Sequence, residues 1–290
     1  MMAAETEGPL NIGEMVLHHT ADAYSIGMDP FWHVSWPSDL WVLHLGNVAV
    51  NLTPTKHVIF MVITALLVFL SLKVAGSRLQ RQRDSGKAPR GFANAMEALV
   101  LFVRNDIALA NIGHDGHKFV PLVLTLFFFI LYANLLGLLP WGSAATGNLA
   151  VTGALALMVF LVIEIGGMRK LGFKGYMGTI FPHVPGMAGA AGTIMSVAMA
   201  PIEILGKLVK PFALAVRLFG NMTAGHFVIL SLFGIIFLFG SLPGWNWAIG
   251  FTTAGLVIGI MLLELIVAFL QAYVFALLTS VFIGLMQHEH

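Results

Sequence analysis

Apolar residues run through this chain in blocks too long for the alternating patterns of a water-soluble fold. A membrane-spanning helix needs about 20 mostly apolar residues, and five stretches supply them: 58–76, 119–139, 148–168, 189–240 and 245–286. The last two are longer than one crossing requires. At about 1.5 Å per residue, a helix over 245–286 overshoots a bilayer and must tilt strongly, bend, or start as a hairpin arm outside the normal spanning angle. The stretch 189–240 is broken by Pro201, Pro211 and several charges. Residues 91–112 follow another rhythm: Phe92, Met96, Leu99, Val103, Ile107 and Ala110 recur three or four apart, with Asn94, Glu97, Arg104 and Asp106 between them. That spacing predicts an amphipathic helix lying at the inner membrane interface. Residues 1–55 hold no long apolar block and open MMAAETEGPL, without the basic and apolar regions of a signal peptide. The expected fold is an all-α membrane protein: an extracytoplasmic N-terminal segment over 1–55 and a membrane domain over 56–290, with no internal repeat.

Charge gives the orientation. Residues 1–55 contain no Lys or Arg but six carboxylates: Glu5, Glu7, Glu14, Asp22, Asp29 and Asp39. Lys73, Arg78, Arg81, Arg83, Lys87 and Arg90 follow the first span, and Arg169, Lys170 and Lys174 follow the third. The connections at 140–147 and 241–247 carry none. Basic loops stay on the cytoplasmic side, which places the N-terminus outside and the C-terminus inside.

Composition agrees with lipid as the solvent. Apolar residues make up 58% of the chain and charged residues 10%, against roughly 25% charged in a soluble domain. The net charge of +1 points to no nucleic acid or acidic partner, and with no cysteine there is neither disulfide nor thiolate chemistry.

Against that background the intramembrane charges stand out. A charge facing lipid at the bilayer centre costs about 2.5–3.5 kcal/mol on insertion scales, so such residues usually face an interior or an aqueous path. One segment carries Glu203, Lys207, Lys210, Arg217 and His226, and another carries Glu264. At about 100° per residue, Glu203, Gly206, Lys210, Ala213, Gly220, Asn221 and Ala224 all lie within about 60° of Arg217. Polar groups and the smallest residues therefore share one stripe, and small residues let another helix approach closely. In the last segment Glu264 and Gln271 fall about 20° apart by the same count. A structural alternative is that Arg217 pairs with Glu203 or Glu264 and pins two helices. A buried ion pair is a weak stabiliser that apolar packing can replace, so pinning explains poorly why so many charges are present.

The runs KPFALAVRLFGNMTAGH at 210–226, ELIVAFLQAYVFALLTSVF at 264–282 and PLVLTLFFFILYANLLGLLP at 121–140 resemble subunit a of rotary F-type ATP synthases. The resemblance covers roughly residues 57–286. It implies long tilted helices forming a hairpin against the ring of c subunits, with Arg217 facing the ring's essential carboxylate. It also implies that Asn221, Gln271 and Asn134 line an outer aqueous half-channel, that Glu203 lies by an inner half-channel, and that Lys210 is a basic position near the arginine. Partners implied are the c-ring, the peripheral-stalk b subunits and the lipid bilayer. The implied location is the bacterial cytoplasmic (inner) membrane, in a non-catalytic, ion-translocating subunit without cofactor or metal. Two positions depart from the common bacterial pattern, in which a glutamate follows the arginine by nine residues and a histidine precedes the glutamine by seven. Here those positions hold His226 and Glu264, exchanged as in mitochondrial relatives. Gly137 stands where many bacterial relatives carry an acid.

The implied chemistry has a physical form. Arginine keeps its charge at any working pH, so Arg217 acts as a fixed cation. It favours ionisation of a ring carboxylate entering its groove and bars protons from leaking between half-channels. His226 and Glu264 are the candidate proton carriers, since imidazole titrates near neutrality. A secondary transporter is the rival reading, but it should show two related halves with paired broken helices, and the sequence shows neither. Proton rather than sodium coupling is favoured only by the His226–Glu264 pair.

Other polar residues read as structural. His114, Asp115 and His117 lack further firm ligands for a metal and form a solvated turn. His18, His19, His33, His44, His57, His288 and His290 are surface positions. Glu164 snorkels or pairs locally, with an inner-channel role as the alternative. Gly186, Gly189 and Gly192 are packing positions, since no Lys-Ser/Thr follows to make a phosphate loop.

Overall fold

The computed structural model describes residues 22–28, 32–45, 48–84, 91–139, 142–182, 189–239 and 246–288. Two short antiparallel hairpins come first. Strand β1 (Ser25–Met28) pairs with β2 (Trp32–Ser35), and β3 (Val42–Leu45) with β4 (Val48–Asn51). Ser25 lies opposite Ser35, and Val42 opposite Asn51. Strands of four residues are too short to leave a period that sequence reading can separate from loop.

The hairpins are tied to the start of the first long helix, α1 (Lys56–Asp84). Trp36 Nε1 donates to the Pro54 carbonyl at 2.9 Å, and Lys56 N to the Ala23 carbonyl at 2.9 Å. His57 corrects its expected surface position: it is 4% exposed, and its Nδ1 donates to Asp22 Oδ1 at 2.8 Å. The strand segments fold over the helix start, and the carboxylate supplies the partner a buried imidazole needs. The expected surface positions of His18, His19 and His290, and of the side chains of His33, His44 and His288, lie outside the described residues.

After α1 come α2 (Phe92–Phe102, continued by Val103–Leu109 and Ala110–Ile112), α3 (Val120–Gly137), α4 (Leu149–Ile180), α5 (Ala190–Phe239) and α6 (Asn246–His288). Five of these helices, all but α2, are long and apolar enough to cross a membrane. The chain is a multi-pass integral membrane protein of mostly helical build.

Helix α2 differs in detail from the even amphipathic pattern. Val103–Leu109 winds as a π-helix, whose wider turn shifts the buried face by a residue. Val103, Ile107, Ala108 and Ile112 are buried while Ala110 is exposed. That face packs on protein: Phe102 stacks on Tyr273 of α6 at 6.0 Å, and a Cβ added to Gly284 would overlap the Asn111 carbonyl.

The chain divides into two compact units, each drawing on several helices. The first contains residues 1–64, 133–148 and 219–269, and the second 65–132, 149–218 and 270–290. Large apolar side chains fill the second: Ile107, Leu126, Phe127, Phe128, Ile130, Leu218 and Phe275 are 0–2% exposed. The first buries smaller and more polar groups, among them Thr64, Ala133, Asn134, Ala145 and Thr146.

Candidate functional site

Helix α5 keeps its helical form through Pro201 and Pro211, which each remove one backbone donor. Around Arg217 it buries Leu214, Ala215 and Leu218, and Arg217 itself is exposed. The stripe predicted from the sequence avoids the buried face. Lys210, Ala213, Asn221 and Ala224 are exposed, and Glu203, Gly206 and Gly220 are half-buried. Among the described residues Arg217 makes no ion pair or hydrogen bond, so among them it pins no two helices together.

Within the second unit, Glu203 and Lys210 line one cavity together with Glu164, Thr179 and Lys207. Phe282, Leu285 and Met286 of α6 close another side. It offers about 80 Å³ to water centres, and a water needs roughly 10–15 Å³ of such space. Glu164 is 8% exposed and accepts a hydrogen bond from the Tyr176 hydroxyl. Lys207 Nζ lies 3.9 Å from Glu164 Oε2, donates to Thr179 Oγ1 at 2.7 Å, and sits 4.5 Å from the Tyr176 ring centre. Lys210 Nζ lies 5.1 Å from the Phe282 ring centre. Glu164 is paired, but not locally: one partner lies 12 residues along the chain and the other on α5. Gln271, elsewhere in this unit, is 6% exposed beside fully buried Ala272 and Phe275.

The first unit holds the other candidates. Asn134 is 2% exposed; it accepts from Thr146 Oγ1 at 2.7 Å and reaches the Ala268 carbonyl through Nδ2 at 3.5 Å. Glu264 is half-buried, and its side chain lies directly over Gly225, where an added Cβ would overlap the carboxyl oxygen. Glu264 Oε2 and Thr223 Oγ1 are buried with no hydrogen-bond partner among the described residues. His226, next to Gly225, is half-buried. Gly137 has no space for a side chain, because an added Cβ would come within 2.6 Å of Ala144 Cβ and overlap the end of Met222.

Sequence reading missed Tyr176, Thr179, Phe282, Gly225 and Thr146. The single usable signal was Gly172 in the run GFKGY, since a glycine inside a helical pattern marks a possible break. The histidine-rich turn at His114–Lys118 is a short 3-10 segment with His117 exposed; the side chains of His114 and Asp115 lie outside the described residues.

The family described as ATP synthase A chain matches residues 45–284. A protein named ATP synthase subunit a 2, from Chlorobaculum tepidum, is 42% identical over 275 residues, which cover 94% of this chain and 72% of that relative. ATP synthase subunit a of Myxococcus xanthus is 46% identical over 246 residues, 83% of this chain and 76% of its own length. ATP synthase subunit a 2 of Prosthecochloris aestuarii is 41% identical over 286 residues, 98% of this chain and 82% of its own. With identity at this level over most of both partners, the chain belongs to the ATP synthase A chain family.

Proposed function

We propose that this chain is the stator subunit of the proton channel of a rotary ATP synthase. It works beside the c-ring and the peripheral-stalk b subunits in a bacterial inner membrane, with the N-terminus outside and the C-terminus in the cytoplasm. The observation that carries the reading is Arg217: an exposed cation, unpaired among the described residues, midway along a mostly apolar 50-residue helix. A charge so placed has its partner outside the chain, and the small residues of its stripe leave room for a neighbouring helix. A ring carboxylate is neutral while buried in lipid and is favoured in its charged form beside a cation. It loses its proton to one half-channel as it enters the Arg217 groove, then takes another from the second half-channel as the ring turns. About 2.3 kcal/mol per charge per 100 mV drives the cycle.

Glu264, His226, Asn221, Gln271 and Asn134 are assigned to the outer half-channel, and Glu203 and Lys210 to the inner. Glu264 Oε2, unpartnered among the described residues, favours the first assignment, because a buried carboxyl oxygen without a protein partner is satisfied by water or a proton. The water-sized cavity around Glu203 favours the second. Reconstituted complex driven separately by proton and sodium gradients tests the reading. ATP synthesis with the proton gradient alone is expected, and Arg217→Ala abolishes it while the ring still co-purifies. Near-normal synthesis in that variant contradicts the role of Arg217, and a solitary detergent-extracted monomer with substrate-dependent uptake points to a transporter.

A further inference from the structure

Glu203 and Lys207 stand four apart on α5, with the acid N-terminal to the base. That order and spacing is the favoured helical ion pair. Yet Lys207 does not take it. Its ammonium is held instead by Glu164, Thr179 and the face of Tyr176, and among the described residues Glu203 has no ion pair. Lys210, the other cation on the cavity wall, lies over Phe282. Two lysines on the wall of the Glu203 cavity are thus both directed elsewhere.

The diversion depends on the shape of α4. Tyr176 lies 12 residues beyond Glu164, which in a straight helix would put it about 18 Å further along the axis. The break at Gly172 (φ 69°, ψ 169°) returns the chain so that Tyr176 and Thr179 meet Glu164 and Lys207. That backbone conformation is open to glycine and strained for other residues.

We propose that Glu164, Tyr176 and Thr179 are positioning residues that hold Lys207 off Glu203 and so keep the Glu203 carboxylate open to cavity water. The inference rests on the assignment of Glu203 to the proton path. Released from its holders, Lys207 swings to the carboxylate one turn away, and the resulting ion pair withdraws Glu203 from exchange. A second consequence follows: deleting the lysine should undo the damage of deleting its holder.

Ring-driven proton flux in reconstituted complex, with ring co-purification as the check on assembly, tests this. Glu164→Gln and Tyr176→Phe should each lower flux by about threefold, the scale of a modest ion pair. Adding Lys207→Gln to either should return flux to near the parent level. If Glu164 itself carried protons, or if the cluster only supported the fold, Lys207→Gln would not restore flux, and the proposal is overturned. It is also overturned if both single variants run at parent rates. Should Glu164→Gln fail to assemble, Tyr176→Phe, which keeps the ring and removes one hydroxyl, decides by the same criteria. Glu203→Gln separates the underlying assignment: unchanged flux there removes Glu203 from the path whatever the Glu164 variants do.

Discussion

Two carboxylates set inside helices of this protein are treated in opposite ways. In the second unit Glu164 is closed in by a tyrosine hydroxyl and a lysine. In the first unit Glu264 has one oxygen buried without a partner among the described residues and its side chain laid over a glycine. A carboxylate whose lone pairs are occupied by fixed partners is a structural element. One with an open oxygen has somewhere to put a proton or a water. In the proposed function the contrast separates an acid that positions another group from an acid placed to exchange protons, a distinction that residue type and apolar surroundings alone do not make.

Mutations can break the contrast at either end. The largest effect after loss of Arg217 is expected from Glu264→Gln combined with His226→Ala, which should slow proton entry by about tenfold or more, toward the scale of losing a proton-transfer group. Unchanged flux at every pH would remove both residues from the path. Gly225→Ala is a gentler probe of the same carboxyl group, since it crowds Oε1 beside the unpartnered Oε2. The group in its way is the far end of a flexible side chain, so thermal stability of the complex should hold while flux drops a few-fold. A drop in stability with normal flux would show that the glycine serves packing alone. Gly137→Asp tests the space beside these acids in the first unit: it forces a side chain against Ala144 and Met222, an overpacking of about 1–3 kcal/mol, and should lower the unfolding temperature rather than add a proton carrier. At the paired end, Glu164→Gln should cost the least, and Lys207→Gln should reverse it.

The long helices were legible because a span depends on the length and polarity of a stretch, both of which can be read along the chain. The Arg217 stripe was legible for a similar reason: its members lie on one continuous helix, and helical geometry fixes their angles. The hairpins at 25–35 and 42–51 were not, since four-residue strands carry almost no period. The diversion of Lys207 was hidden for another reason. It depends on a reversal at Gly172 that brings Tyr176 back to Glu164, and sequence separation across a break says nothing about distance. His57 shows the same limit. Its partner Asp22 lies 35 residues earlier, so an imidazole at the head of a span read as surface until the fold supplied the carboxylate.

In the proposed function Arg217 is a fixed barrier and ionising partner rather than a carrier. That role is tested most directly in vesicles holding the complex with Arg217→Ala, by recording passive proton leak alongside proton-driven ATP synthesis. Synthesis is expected to fall to background while leak through the membrane sector rises. Synthesis that continues, with leak no greater than in the parent complex, would contradict it.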